Sequence, residues 1–226
     1  MLDANEWVAI RLTLKVALLA VSGALPAALL LASLLARRVL PGRPLLDALV
    51  HLPMVLPPVV TGWLLLLLFG LHGPAGALLW WLFRARLVFT SAGAALATGV
   101  MVMPLMVRTI RLSLEAIDPG LQDAAAGLGA GPLDRFVNVT LPLAAPGILA
   151  AMAIGYAASL GEFGAVITFA GSIPGRTQTL PLAIYQALQE PGGEAVAGRL
   201  ASVSIALALA GLLASELLLR RLRRRA

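Results

Sequence analysis

The chain has 226 residues, of which 60% are hydrophobic and 12% are charged, and its formal net charge is +6. A typical soluble domain has about 25% charged residues, so a soluble fold of this length could not bury so much apolar surface. Cysteine is absent, which excludes disulfides, thiolate metal sites and cysteine nucleophiles. The composition therefore predicts a membrane protein with lipid as its main solvent.

Five segments are apolar and long enough to cross a bilayer, which takes about 20 residues of helix. Isolated strands would leave backbone groups without partners in hydrocarbon, so these segments are predicted to be helices. We expect an all-α, polytopic bundle of about five transmembrane helices that forms one domain over residues 1–226. The predicted spans are residues 16–36, 48–70, 87–107, 145–170 and 200–219.

Arginines predict how the bundle is oriented, because cytoplasmic loops of membrane proteins carry an excess of Lys and Arg. Eleven of the seventeen basic residues fall in the first connection, the third connection and the C-terminal tail. We therefore expect the N-terminus outside and the C-terminus in the cytoplasm. These eleven basic residues are Arg37, Arg38, Arg43, Arg108, Arg111, Arg135, Arg220, Arg221, Arg223, Arg224 and Arg225.

A basic tail after an apolar helix is typical of a membrane anchor, so no nucleic-acid partner is expected.

Three prolines interrupt the second predicted span. Pro53, Pro57 and Pro58 remove backbone donors and bend a helix, which a membrane tolerates only where protein or water satisfies the freed carbonyls. Such interruptions tend to line a transport pathway, which makes Pro57 and Pro58 candidate pathway residues. A kink that only helps the bundle to pack is the alternative.

The apolar segment 73–83 is only about half the length that a membrane-spanning helix needs. Trp80 and Trp81 are predicted to lie at headgroup level, with Arg84 and Arg86 reaching water, as aromatic and basic residues do at membrane interfaces. We therefore expect this segment to lie along the interface.

The longest polar connection covers residues 108–143 and is predicted to fold as helix, turn and helix. A new helix begins at Asp118 and Pro119, because proline is tolerated in a first helical turn. Gly129 and Gly131 end this helix, as glycines past a helix end do. The helix is rich in alanine, which suits close docking into a groove of a partner. Packing onto the chain's own bundle is the alternative.

The spacing in this connection resembles the cytoplasmic motif of ABC importer permeases, which reads EAA, three residues, G, nine residues, I, one residue, LP. Every interval matches, with Asp in place of Glu and Val in place of Ile. The resemblance implies the MetI-like fold of these permeases. It also implies that the connection forms a coupling helix that docks on a cytoplasmic ATPase subunit. The matching residues are Asp123, Ala124, Ala125, Gly129, Val139, Leu141 and Pro142.

The single lysine of the chain, Lys15, lies in RLTLKV. A phosphate-binding loop of the G-x-x-x-x-G-K-[ST] type requires its lysine, and RLTLKV is not such a loop. ATP and Mg are therefore expected on a partner ATPase, and no cofactor is expected in this chain.

Four further stretches resemble the molybdate importer permeases, although sulfate and thiosulfate permeases share the GEFG element. The resemblance implies an inner-membrane permease that pairs with a second copy of itself and receives the oxyanion from an external molybdate-binding protein. Residues 176–179 in the last outer loop are candidate contacts for that protein, with an ordinary solvated loop as the alternative. Import of sulfate, thiosulfate or tungstate by the same machinery remains open. The stretches are residues 51–62, 104–115, 159–169 and 173–185.

The fourth predicted span carries the remaining candidate pathway or gate residues. Glu162 is the sole acid well inside a predicted span, where a carboxylate is costly and usually faces a cavity or a partner. A negative side chain is an unexpected lining for an anion conduit. We therefore expect Glu162 to act in a gate or in helix packing, or to make a structural hydrogen bond. The candidates are Ser159, Glu162, Phe163 and Gly164.

Two other classes of protein remain as alternatives. A secondary transporter that works without ATP predicts intramembrane charge pairs or an internal repeat, and the sequence shows neither pattern. A membrane enzyme or scaffold predicts clustered catalytic residues. His51 and His72 lie 21 residues apart in different segments, so we expect neither a catalytic site nor a metal site.

Overall fold

The computed structural model describes residues 2–37 and 41–223, without the side chains of residues 215, 216 and 218–223. Within that part of the chain the regular elements are helices, and no strand occurs. The all-α prediction is therefore confirmed. Among the arginines that predict orientation, Arg38, Arg224 and Arg225 lie outside the described residues, and the side chains of Arg220, Arg221 and Arg223 are not described.

The described residues form a run of helices with short connections. A single π-helical turn, Phe136–Thr140, joins α7 to α8. The helices are α1 (Ala4–Ala36), α2 (Arg43–Val55), α3 (Pro58–Phe69), α4 (Pro74–Phe83), α5 (Ser91–Glu115), α6 (Pro119–Gly127), α7 (Pro132–Arg135), α8 (Leu141–Ser159), α9 (Gly164–Phe169), α10 (Leu180–Gln189) and α11 (Glu194–Arg223).

Four stretches of the described chain are long and apolar enough to cross a membrane, namely α1, α5, the run from α7 to α8, and α11. A fifth crossing results when α2 and α3 are counted together. The predicted bundle of about five transmembrane helices agrees with this number. Helix α1 has 33 residues, a length of about 50 Å, so its ends extend beyond a hydrocarbon core of about 30 Å.

Two of the predicted spans are interrupted in the structure. Helices α2 and α3 share the span predicted for residues 48–70, and they are bent by 115° at the break between them. The bend falls at Leu56 and Pro57, because proline lacks an N–H and restricts the residue before it. The span predicted for residues 145–170 is divided into α8 and α9 by residues 160–163, a break that apolar composition alone did not indicate.

The core of the bundle lies where α5 packs against α1 and α8. Gly99 of α5 faces α1, and a Cβ atom added there would lie 3.3 Å from the Ala20 carbonyl oxygen. Small residues at helical spacing allow such close approach of two backbones, which is the usual way that membrane helices pack. The buried alanines on this face of α1 are Ala17, Ala20, Ala24, Ala28 and Ala32.

Polar contacts around the buried Glu6 hold together the end of the bundle where α1 begins. Arg199 of α11 donates two hydrogen bonds to Glu6 Oε1, at 2.8 and 3.2 Å, and Glu6 is only 5% exposed. The Asp3 N–H donates to the other oxygen of Glu6 at 2.7 Å, which completes a capping box at the start of α1. The backbone N–H of Leu180 donates to Thr13 Oγ1 at 2.7 Å. These contacts fix α10 and α11 against the first half of α1.

Candidate functional site

The candidate coupling site is built on α6, which begins where the sequence predicts. Asp118 caps the helix by accepting a hydrogen bond from the Gly120 N–H at 2.9 Å. Pro119 takes the first position, where its missing N–H has no intrahelical partner to lose. None of the residues of α6, all of which the structure describes, is buried. The helix therefore stands off the bundle with its surface free for a partner.

The first half of the coupling motif lies on α6 and on the turn that ends it. Asp123 and Ala124 are exposed, and Ala125 is half-buried. The helix ends with a hydrogen bond from the Ala130 N–H to the Ala125 carbonyl oxygen at 3.0 Å. Gly129 has a φ of +90°, and a Cβ atom added there would meet nothing within 4 Å. The backbone conformation therefore favours glycine, while the space around it stays open.

The second half of the motif lies on neighbouring elements of the same loop. Val139 belongs to the π-helical turn, and Leu141 and Pro142 begin α8. Helix α6 contacts this π-helical turn, so the structure brings the two halves of the motif onto adjoining elements. π-helical turns occur frequently at functional sites. Residues 119–142 therefore form one surface module, with α6 at its tip.

A cavity of 510 Å³ lies between α6 and the C-terminal ends of α1 and α5. Its charged lining residues are Arg37, Glu115, Asp123 and Arg135. The Nε atom of Arg135 is buried and has no hydrogen-bond partner among the described residues. Open space therefore lies between α6 and the bundle behind it.

The structure brings two candidate pathway residues, Pro58 and Gly164, into direct contact. A Cβ atom added at Gly164 would lie 2.6 Å from the Cβ atom of Pro58. Gly62, one turn along α3, faces α9 in the same way, since its added Cβ would lie 2.7 Å from the Ala165 carbonyl oxygen. Helix α3 therefore packs closely against α9. Pro57 caps α3 at the bend itself.

The candidate gate residues Glu162 and Phe163 lie in the break between α8 and α9. Glu162 Oε1 accepts a hydrogen bond from the Ala165 N–H at 2.9 Å, so the carboxylate caps the first turn of α9. This is the structural hydrogen bond that the sequence left open as one role for Glu162. Phe163 packs against Tyr185 of α10, with 5.2 Å between the ring centroids.

Ser159, another candidate pathway residue, ends α8 and is buried. Its hydroxyl donates to the Gly155 carbonyl oxygen at 2.7 Å, so it is engaged within its own helix. In the loop between α9 and α10, Thr177 and Thr179 are also buried, and Thr177 Oγ1 donates to the Gly171 carbonyl oxygen at 2.9 Å. Thr177 therefore holds the loop in shape, while Arg176 is the exposed residue of residues 176–179.

Sequence reasoning missed the ion pairs that join α2 to α5 near the coupling site. Arg111 of α5 binds Asp47 of α2 at 3.0 Å and Glu115 of its own helix at 2.8 Å. Arg43 of α2 binds Glu115 at 3.2 Å. The pairing of Arg111 with Glu115 has the i, i+4 spacing that a sequence can reveal. The two pairs that cross from α2 to α5 have no such local signal.

Comparison with known proteins defines the class of this chain. Residues 24–225 match the family described as binding-protein-dependent transport system inner membrane component. The chain belongs to this family of transport permeases.

Individual relatives narrow the comparison. The chain is 51% identical over 221 residues to the molybdenum transport system permease protein ModB of Escherichia coli (strain K12), covering 98% of this chain and 96% of the relative. It is 40% identical to the sulfate transport system permease protein CysT of Salmonella typhimurium, covering 79% of this chain and 65% of the relative.

A solved structure of a bacterial alginate ABC transporter, in complex with an alginate pentasaccharide-bound periplasmic protein, has a similar fold. Its TM-score is 0.77 at 19% identity, and the match covers 97% of this chain and 80% of that chain. At this identity the likeness concerns the fold alone. The permease fold that the coupling motif implied is therefore confirmed.

Proposed function

We propose that this chain is the membrane-spanning permease of an ATP-driven importer of molybdate. Two copies pair to form the translocation pathway, and each copy docks one cytoplasmic ATPase subunit that holds ATP and Mg. An external binding protein delivers the oxyanion. ATP binding moves the coupling helices, and this movement opens the pathway to the outside.

The observation that carries this proposal is the form of α6. All of its residues remain unburied, and α6 with the turn that ends it presents the motif residues Asp123, Ala124 and Gly129. A helix that merely packed on its own bundle would bury one face. An exposed, alanine-rich helix over a cavity instead has the form of a helix that seats in a partner's groove.

The choice of molybdate rests on the relatives. The molybdenum permease of E. coli matches at 51% identity over nearly its full length, whereas the sulfate permease of S. typhimurium matches at 40% over a smaller share of its length. The second relative supports sulfate as the alternative substrate, since both oxyanions are tetrahedral dianions.

The proposed orientation places α6 in the cytoplasm and the loop between α10 and α11 outside. The absence of cysteine allows this to be tested with single cysteines at Leu128, which is 90% exposed, and at Gly192. A membrane-impermeant maleimide added to intact cells should label position 192 and leave position 128 unlabelled until the membrane is opened. Labelling of position 128 from outside would overturn the orientation and the docking of an ATPase with it.

Docking is tested by co-purification of the permease with its ATPase subunit, comparing wild type with Gly129→Asp. The change adds a charge and a side chain to the tip of α6, where the φ of +90° already disfavours a side chain. We expect loss of the ATPase from the purified complex and loss of transport, with membrane insertion unchanged.

Gly192→Asp is the matched control for this experiment. Gly192 has a φ of +79° and also has nothing within 4 Å of an added Cβ, so it imposes the same backbone strain away from α6. We expect the control to keep the ATPase. Retention of the ATPase by Gly129→Asp, or ATP-independent uptake by liposomes that contain the permease alone, would overturn the proposal. The two candidate substrates are distinguished by measuring uptake of labelled molybdate with excess sulfate present. Unchanged uptake supports molybdate as the substrate, and suppressed uptake supports sulfate.

A further inference from the structure

Four charged side chains form a continuous chain of ion pairs between α2 and α5 at the inner end of the bundle. We call Arg43, Glu115, Arg111 and Asp47 the inner ion-pair chain, in the order in which they touch. The joining distances are 3.2 Å from Arg43 Nη2 to Glu115 Oε1, 2.8 Å from Arg111 Nε to Glu115 Oε1, and 3.0 Å from Arg111 Nη1 to Asp47 Oδ1. Positive and negative groups therefore alternate across the two helices.

One end of this chain lies next to the coupling helix. Glu115 is the last residue of α5, and three residues separate it from Pro119, the first residue of α6. This connection is tight, because the Ala116 N–H donates to the Leu112 carbonyl oxygen at 3.2 Å and the Ile117 N–H donates to the Leu114 carbonyl oxygen at 3.4 Å. A displacement of α6 therefore reaches the carboxylate of Glu115 through a short, hydrogen-bonded link.

The other end of the chain lies on the helix that leads to the bend. Arg43 begins α2, and Asp47 lies one turn further along it. Helix α2 ends at Val55, directly before the bend of 115°, and Pro58 just beyond the bend meets Gly164. Helix α2 stays one continuous helix from Arg43 to Val55, with Pro53 inside it, so a pull at Asp47 can be carried along it to this contact between α3 and α9.

Few other contacts hold α2 on the bundle. Val50 is the one buried residue of α2 within the described chain, and it packs with the partly buried Leu46 in the cluster that includes Met106 and Ile110 of α5. Since apolar burial of α2 is this small, the ion pairs make up much of what links α2 to α5.

The exposure of these side chains indicates what the chain does. They are 24–42% exposed, and partly exposed ion pairs contribute little net stability because water competes for the charges. Their loss should leave the fold intact. The ion pairs instead set how α2 is attached to α5. Their loss should therefore change how movement passes from α5 to α2, and not whether the chain folds.

We propose that the inner ion-pair chain transmits displacement of α6 through α5 to α2, and so to the bend at Pro57 and Pro58. This inference rests on the proposed function, because it supposes that an ATPase moves α6. It assigns positioning roles to Arg43, Asp47, Arg111 and Glu115. None of these residues touches the transported anion in this assignment.

The test is a charge exchange in the complete complex of permease, ATPase and binding protein. Asp47→Arg and Arg111→Asp are made singly and together, and oxyanion transported per ATP hydrolysed is measured in liposomes. We expect each single change to lower this ratio about tenfold or more, with ATP hydrolysis retained, a size within the usual range of coupling energies. The double variant restores the contact between positions 47 and 111 with the signs exchanged, but it still lacks the contact between Arg111 and Glu115. We therefore expect its loss of ratio to be smaller than the two single losses combined.

Arg108→Asp is the matched control, because Arg108 lies one turn before Arg111 on α5 and is exposed. It should transport with the wild-type ratio. Single variants with a wild-type ratio would overturn the inference, and so would a ratio lost to the same extent in Arg108→Asp.

A second measurement covers the case in which the exchanged variant fails to assemble. Single spin labels are attached at Leu128 at the end of α6 and at Val55 at the end of α2, which are 90% and 80% exposed. In wild type, ATP should change the spectra at both sites. In Asp47→Asn the change should persist at Leu128 and disappear at Val55, and its persistence at Val55 would overturn the inference. The proposed function fails separately if a wild-type complex hydrolyses ATP without moving oxyanion. The spectral changes at Leu128 and Val55 are measured without transport, so the two failures can be told apart.

Discussion

The two ends of the bundle are held together by ion pairs of opposite character. In the proposed orientation, the end with Glu6 is the outer end and the end with α6 is the inner end. At the outer end, Glu6 is 5% exposed and receives two hydrogen bonds from Arg199 and one from the backbone of Asp3. At the inner end, the inner ion-pair chain is 24–42% exposed and lies beside a cavity of 510 Å³. The outer carboxylate is thus fully satisfied inside protein, while the inner ones share their partners with water.

This difference in exposure determines how easily the ion pairs at each end can break. Removing one partner of a buried ion pair is strongly destabilising, because the remaining group loses both water and its partner. Exposed pairs can break and re-form at little cost, since water replaces the lost contact. The contrast predicts that the outer end holds α1, α10 and α11 in place, and that the inner end is where the proposed movement of α2 and α6 would occur. The predictions below test this contrast, from the largest expected effect to the smallest.

The largest effect is expected from Glu6→Ala at the outer end. The change removes three hydrogen bonds and leaves Arg199 without its partner, although Arg199 is 44% exposed and is partly rescued by water. We expect a loss of about 2 kcal/mol in the free energy of unfolding, measured by chemical unfolding in detergent micelles. Glu194→Ala is the control, since Glu194 is an exposed acid in the first turn of α11, and its loss should be about 0.5 kcal/mol or less. Equal losses for the two variants would show that the buried pair does not fix the outer end.

Local signals explain which of these features the sequence could predict. Asp118, Pro119 and Gly129 act within a few residues of the helix ends that they set, so α6 and its closing turn follow from the sequence. The pair of Glu6 and Arg199 joins residues 193 positions apart, and no periodicity or spacing marks such a contact.

The break between α8 and α9 shows a second limit. Residues 145–170 are apolar enough to be taken as one span, and apolar composition does not distinguish a continuous helix from a divided one. Glu162 caps the first turn of α9 by accepting a hydrogen bond from the Ala165 N–H. It precedes the N-cap residue Phe163, so the usual N-cap pattern does not mark this helix start in the sequence. The close packing of Pro58 on Gly164 depends on the tertiary arrangement of α3 and α9, which no local sequence pattern predicts.

An intermediate effect is expected from Thr13→Val, also at the outer end. Thr13 Oγ1 accepts the buried Leu180 N–H at 2.7 Å, and valine keeps the shape while leaving that N–H unpaired. We expect a loss of about 1–2 kcal/mol, seen as a lower thermal unfolding temperature in detergent.

Thr98→Val provides the matched comparison for Thr13→Val. Thr98 is equally buried, and its hydroxyl has no hydrogen-bond partner among the described residues. Replacing it with valine should leave the unfolding temperature unchanged or raise it, because an unsatisfied buried hydroxyl is removed. If both variants lose the same stability, the hydrogen bond from Leu180 is not what holds α10 to α1.

The smallest effect on stability is expected from Asp47→Asn at the inner end. Asp47 is 42% exposed, so water competes for its direct contact with Arg111, and we expect a loss of about 0.5 kcal/mol or less in the free energy of unfolding. The same variant should nevertheless uncouple the response at Val55 from the movement of α6. A small loss of stability together with a large loss of coupling is the result expected if the ion pairs serve to transmit movement. A loss as large as that of Glu6→Ala would mean that the inner end is held as firmly as the outer end, and that α2 cannot move relative to α5 in the way that transmission needs.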